Sequence, residues 1–291
     1  MMQRPLFHGE TAVAIRQPKT DRLILSKYLE LAARDMRLDE EALNKAHAIL
    51  IKWAELEASG RLAQFKETQL QGRFLDEVFG QALGYSQPVE KTPNWQLEQH
   101  RAIGAQTPDA VLGHFREGDD SPPLAVVELK GPTVHLDRDR SNGRTAVDQC
   151  WDYLINLPRT CRWGIVSNLV SFRLYERDST KRAYEHFSLQ SLKDPNEFRK
   201  FYVLFHRKGL IEATAGQLPR IVTLFDKSIN RQREVSDKLY IAYSEHRTLL
   251  IRHLHHEQGL PVDKSIEYCQ RLLDRIIFIA FCQSRGLLRD E

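Results

Sequence analysis

A chain of 291 residues is long enough to bury a full core and to hold two domains. Hydrophobic residues make up 42% and charged residues 28%, the profile of a soluble chain, and the formal charge of +3 excludes a globally basic polymer binder. Cys150, Cys161, Cys269 and Cys282 form no CxxC pair, which argues against a zinc finger or disulfide scaffold and for a reducing, cytoplasmic setting. Met1–Glu10 lacks the apolar stretch of a signal peptide, and no run is long enough to cross a bilayer, so no membrane is expected.

Residues 1–20 read as an arm. Thr20-Asp21 can cap a helix to about Met36, with Leu23, Ile24, Tyr28, Leu29 and Leu31 at helical spacing. A second helix is expected from Asp39 through Ala58, ended by Ser59-Gly60. A third runs from Phe65 to Leu83 and carries Glu67, Gln71 and Glu77 as its polar members. Short strands follow at Trp95–Glu98 and Ala110–Phe115, the latter entered through Pro108. A turn at 118–123 makes the next strand, Leu124–Lys130, an antiparallel neighbour. A charged loop over 137–144 precedes a helix from Thr145 to Leu157, then strands at 162–168 and 171–175. From Asp194 the pattern is helical, over 196–205, 232–259 and 262–285, and Ile276–Cys282 reads as a buried helix segment. Trp151 and Trp163 read as core.

The strand Leu-Ala-Val-Val-Glu-Leu-Lys, residues 124–130, interrupts an apolar run with two opposite charges. Alternation along a strand sends Glu128 and Lys130 to one face and Val127 and Leu129 to the other. Asp109 opens the preceding strand. A hard Mg²⁺ ion takes oxygen ligands, few of them from protein. Asp109 and Glu128 would supply carboxylate oxygens, with the Leu129 carbonyl as a third. Lys130 would hold an attacking water or offset charge on a phosphate. Glu67 could reach a second ion or the water shell of the first, with Glu77 as its competitor. Gln149 and Tyr153, four apart on a helix, share a face and could orient Lys130 or touch DNA backbone. Arg138, Arg140 and Arg144 form either a solvated loop or a phosphate cradle.

The set Pro108-Asp109, Glu128-Leu129-Lys130 and Gln149-x-x-x-Tyr153 resembles the PD-(D/E)xK nuclease superfamily and the QxxxY motif of a subset of it. The stretch 74–85 is similar to the helix that precedes the nuclease strands in type IIG restriction–modification enzymes, and 271–288 to their helical connector. The resemblance implies an α/β restriction-endonuclease-like core, a mixed central sheet flanked by helices, with helical N-terminal and C-terminal regions. It implies an arm and helices over 1–62, a nuclease core over 63–190 and a helical connector over 191–291. The implied activity is Mg²⁺-dependent hydrolysis of double-stranded DNA within a restriction–modification, phage-defence protein. The implied roles are Asp109, Glu128, Lys130, Gln149 and Glu67 in catalysis; Asp109, Glu128 and Leu129 on the metal; and Tyr153, Arg138, Arg140 and Arg144 on DNA. Residues 1–291 contain no NPPY-like tetrapeptide and no glycine-rich S-adenosylmethionine loop, so the likeness is to the front part of such an enzyme. A methyltransferase and target-recognition domain, in cis or in trans, are the implied partners, and S-adenosylmethionine enters only with them. Two alternatives stay open: an inactive nuclease-like module that binds DNA or braces a methyltransferase, and a DNA repair nuclease of the same fold.

Overall fold

A computed structural model of the chain describes residues 22–35, 39–88, 93–103, 106–118, 120–212, 218–284 and 287. The chain divides into two compact units, Met1–Phe225 and Asp226–Glu291.

The first unit opens with helices α1 (Ser26–Asp35) and α2 (Glu40–Ala58). Thr20, Asp21 and Met36, the expected limits of α1, lie outside the described residues. Asp39 caps α2, its carboxylate accepting from the Glu41 and Ala42 amides, and Gly60 ends the turn beyond it at φ +71°. The expected helix over 65–83 forms in two pieces. An α-helical part, α3 (Glu67–Phe74), passes directly into a π-helical segment, Leu75–Ala82, whose i→i+5 bonding widens the coil. Its apolar side, Leu75, Val78, Phe79 and Ala82, is buried all the same.

Six strands follow: β1 (Asn94–Gln99), β2 (Ala110–Arg116), β3 (Ala125–Leu129), β4 (Trp163–Ser167), β5 (Ser171–Glu176) and β6 (Glu185–Ser188). They form one mixed sheet in sequence order. All neighbours are antiparallel except β3 and β4, which are parallel and joined by the helix α4 (Ala146–Asn156). β3 is therefore central and buried at every residue, including Glu128.

The sheet is covered on both faces. Val111, Val126 and Val166 pack under α4, against Ala146, Val147, Cys150, Trp151 and Leu154. At Gly164 a Cβ would stand 2.5 Å from Cys150 Sγ and 2.9 Å from Leu154 Cδ1, so this glycine is what lets α4 lie so close to β4. The opposite face is aromatic. Phe172 of β5 stacks on Phe74, with ring centroids 5.7 Å apart, and meets Phe201 of helix α5 (Pro195–Phe205) at 5.0 Å; Phe187 of β6 meets Phe201 at 5.5 Å. A short helix, α6 (Arg207–Leu210), follows α5, and helix α7 (Arg220–Arg252) begins in this unit and continues into the next.

The compact unit thus runs past the borders expected at residues 62 and 190. α1 packs on α5, and α2 packs on the π-helical segment, because the sheet's aromatic face needs both helical regions to cover it. The second unit contains the rest of α7, a π-helical turn at His253–Glu257, and α8 (Val262–Ser284). The expected burial of Ile276–Cys282 is corrected here. Cys282 is buried, but Ile276, Ile277, Phe278, Ile279 and Phe281 are 41–66% exposed. Large apolar residues at five of the six positions 276–281 ring the helix, more than a single packed side can cover. No helix among the described residues is long and apolar enough to cross a membrane.

Candidate active site

The polar residues of the centre gather where β2 begins and β3 ends. Ala110 pairs with Val127, so Asp109, one residue earlier, comes level with Glu128. The Leu129 amide donates to Asp109 Oδ2 at 2.6 Å, which ties the start of β2 to the end of β3. The Lys130 amide donates to Ser167 O at 2.8 Å and carries the parallel ladder one residue further. Glu128 lies on the α4 face, in line with Val126, and Lys130 Nζ forms an ion pair with Glu128 Oε1. Glu67, in the first turn of α3, accepts from the Gly131 amide at 2.8 Å through Oε2.

Electrostatics bind these groups to one another. Burial first, then the Asp109 carboxylate, push the Glu128 pKa up to about 7, against the pull of Lys130 and of a hydrogen bond from Tyr153. Burial alone would lower Lys130. The carboxylates of Glu128, Asp109 and Glu67 together outweigh it, so the ammonium is held charged. Burial and then Glu128 and Asp109 raise the Tyr153 phenol, which keeps it protonated and a donor to Glu128. The Asp109 and Glu128 carboxylates and the Lys130 ammonium therefore act on one another, with Glu128 at the edge of ionising.

Of the residues singled out in sequence, Asp109, Glu128, Leu129, Lys130, Glu67 and Tyr153 come together. Glu77 does not: it accepts from Trp53 Nε1 at 2.9 Å and from Arg73 Nε at 2.7 Å, and holds helices to each other. Tyr153 reaches the carboxylate, whereas Gln149, one turn earlier on α4, makes only a long 3.5 Å approach to the Ser141 carbonyl. Arg144 pairs with Asp152 at 2.8 Å and adds its charge near Tyr153. Arg138 and Arg140 are exposed on the loop, with Arg140 Nη1 donating to Gly143 O at 3.2 Å.

Two supports escaped the sequence reading. Arg173 of β5 grips Asp137 with both Nη atoms, at 2.6 and 2.7 Å, and its guanidinium lies 4.7 Å from the Tyr184 ring centre. Asn168, in the β4–β5 turn, donates to Val134 O at 2.9 Å and accepts from the Ser171 amide at 2.8 Å. Both fix the loop that follows Lys130. Asn168 also steadies the turn in which buried Leu169 takes φ +67°, a left-handed conformation that costs a side-chain-bearing residue about 1–2 kcal/mol. Only the sequence distance between partners, 34 residues for Asn168 and 36 for Arg173, hid these links.

Among the described residues, no group of three or more His, Cys, Asp and Glu side chains converges as a metal cage. Mg²⁺ does not need one: it keeps several waters and takes one or two carboxylates. Two neighbouring carboxylates, one of them held up in pKa by burial and then by the charge of the other, form an oxygen donor set that a hard divalent cation suits. No protein-family model, curated protein or solved structure matches the chain.

Proposed function

We propose that the first unit is a Mg²⁺-dependent deoxyribonuclease module of the PD-(D/E)xK kind, cutting double-stranded DNA in a restriction–modification setting. The observation that carries this reading is the convergence of Asp109, Glu128 and Lys130 at the ends of adjacent strands, with Glu67 on the amide that follows Lys130. Asp109 and Glu128 would hold the ion, with the Leu129 carbonyl beside them. Mg²⁺, when bound, would supply Lewis acidity toward a phosphoryl oxygen. The chain's own groups do the rest. Lys130 gives up its bond to Glu128 and turns to the scissile phosphate or the attacking water, where its charge offsets that developing on phosphorus. Tyr153 keeps Glu128 oriented. Glu67 fixes the backbone at Gly131, so that Lys130 leaves the strand in one direction. The exposed arginines of the 137–144 loop, Arg138 and Arg140, suit contact with DNA backbone, which positions the duplex without reading sequence.

The test is plasmid cleavage by the full chain with Mg²⁺, with EDTA as control, beside binding of Mn²⁺ followed by its paramagnetic resonance signal. Expected are metal-dependent nicking or linearisation by wild type, loss of at least about 100-fold in Lys130→Ala, and loss of both metal binding and cleavage in Glu128→Ala. Wild-type chain that neither binds the ion nor cuts, in a setting able to recognise its site, would overturn the catalytic claim. DNA binding without cleavage there would leave the bracing module as the better reading.

A further inference from the structure

Away from the carboxylate cluster, a cavity of about 430 Å³ opens between the start of α2, the end of the π-helical segment, the end of α5, α6 and the first residue of α7. Its position separates it from the nuclease-like site. Ala82, in its wall, lies at the far end of the α3–π run that Glu67 begins, a run of 16 residues and on the order of 20 Å at the rise of a helix.

The lining is basic. Lys208 and Arg220 contribute charges that no carboxylate among the described residues pairs, whereas Arg207 is bound to Glu212. Among the described residues the only carboxylate in the wall is Asp39, whose Oδ1 already accepts the Glu41 and Ala42 amides as the α2 cap. Residues 36–38 and 213–217, which adjoin Asp39 and Glu212 in sequence, contain no Asp or Glu. Arg220 is partly buried, and burial lowers its pKa with no acidic group opposing that effect. A guanidinium partly withdrawn from water without a counter-charge gains from an anion that joins it.

His206 shows how closely the charges converge. Its ring lies 4.4 Å, centroid to centroid, from that of Tyr202, and its Nδ1 accepts from the Lys208 amide at 3.2 Å, so the ring is fixed. Burial, then Arg207, Lys208 and Arg220, hold its pKa down at about 4, so three cations act on one neutral imidazole. Its Nε2 faces Gly84, where φ is +78° and a Cβ would come within 3.0 Å of that nitrogen and 3.3 Å of Arg207 Nε. A glycine there keeps the backbone side of the cavity open.

We propose that this cavity is a phosphate-binding site, separate from the carboxylate cluster, with Arg220 and Lys208 as its principal ligands and His206 as a hydrogen-bonding partner. A guanidinium fork and an ammonium match the oxygens of a phosphate group. The volume lies in the range that takes a small ligand the size of a mononucleotide. The phosphate could come from a free nucleotide or from nucleic acid, since both present the same group. The proposal does not rest on the nuclease reading, and cleavage is not its readout.

Inorganic phosphate is the probe. It is titrated into the full chain at constant ionic strength against chloride, followed by phosphorus NMR line broadening and by thermal denaturation. Broadening and a rise in melting temperature at millimolar phosphate are expected in wild type. Half-saturation should move up at least tenfold in Lys208→Ala and in Arg220→Met, and stay unchanged in Arg231→Ala, outside the cavity. Lys208 is exposed, so its variant decides the matter even if Arg220→Met misfolds. Adenosine monophosphate and a 5′-phosphorylated duplex, each competed with phosphate, distinguish the two sources. A wild-type response no greater than with chloride, or one equal in Lys208→Ala, overturns the proposal.

Discussion

Glu128 is a carboxylate in a strand with no exposed residue; that burial first, then Asp109, oppose its ionisation, while Lys130 and Tyr153 favour it. Tyr153 and Gln149 look equivalent as residues four apart on one helix, yet only the phenol meets the carboxylate. The two are separable by kinetics. A hydrogen bond to a charged group is worth about 1.5–3 kcal/mol, so Tyr153→Phe should slow metal-dependent cleavage about tenfold or more. Gln149→Ala should stay within about twofold, since a 3.5 Å contact is weak. Equal losses in the two variants, measured as kcat/KM on one DNA substrate, would return Gln149 to the centre of the site.

At the scale of elements, the position of Tyr153 depends on how near α4 lies to β4, and Gly164 sets that distance. Gly164→Ala should destabilise by about 1–3 kcal/mol, as overpacking does, and should draw Tyr153 away from Glu128. Denaturant unfolding gives the first effect. Partial relief by Cys150→Ala, which removes the sulfur the new methyl would strike, identifies its cause. Some of this architecture was legible beforehand. The Val-Val-Glu-Leu-Lys strand, its antiparallel partner and the helix after the charged loop each announce themselves by apolar period and turn chemistry within a few residues. Other parts were not. β6 is four residues long and carries Glu185, a residue type that strands disfavour. Its buried carboxylate accepts from the Ile24 amide at 2.9 Å, a partner 161 residues away. The π-helical segment keeps nearly the same apolar stripe an α-helix would show, so the period gives no sign of the change in bonding. The Asn168 and Arg173 supports depend on partners that only the folded sheet brings near.

For the whole molecule, the division into two units separates two kinds of surface. In the first, aromatic rings from β5, β6, α3 and α5 interlock and leave little apolar area in water. In the second, Ile276, Ile277, Phe278, Ile279 and Phe281 stand in solvent on one helix. Patches of this kind bind apolar dyes in the native state. Native chain should therefore enhance anilinonaphthalene sulfonate fluorescence without denaturant, and Phe278→Glu with Ile279→Glu should abolish most of that signal while leaving the near-ultraviolet circular dichroism of the aromatic core unchanged. Dye binding that survives both changes would place the accessible apolar surface elsewhere.

The sequential order of the sheet has a consequence for the newly made chain. Asp109, Glu128 and Lys130 lie within one hairpin, which can close as soon as it leaves the ribosome, because its contacts are local. At that moment the acids are still bathed in water, where their mutual repulsion is weak. Only when α4 and β4 emerge does a low-dielectric lid come down on Glu128. In a chain that folds in that order, the electrostatic cost of burying Glu128 would fall on the docking of α4 and not on the pairing of the strands.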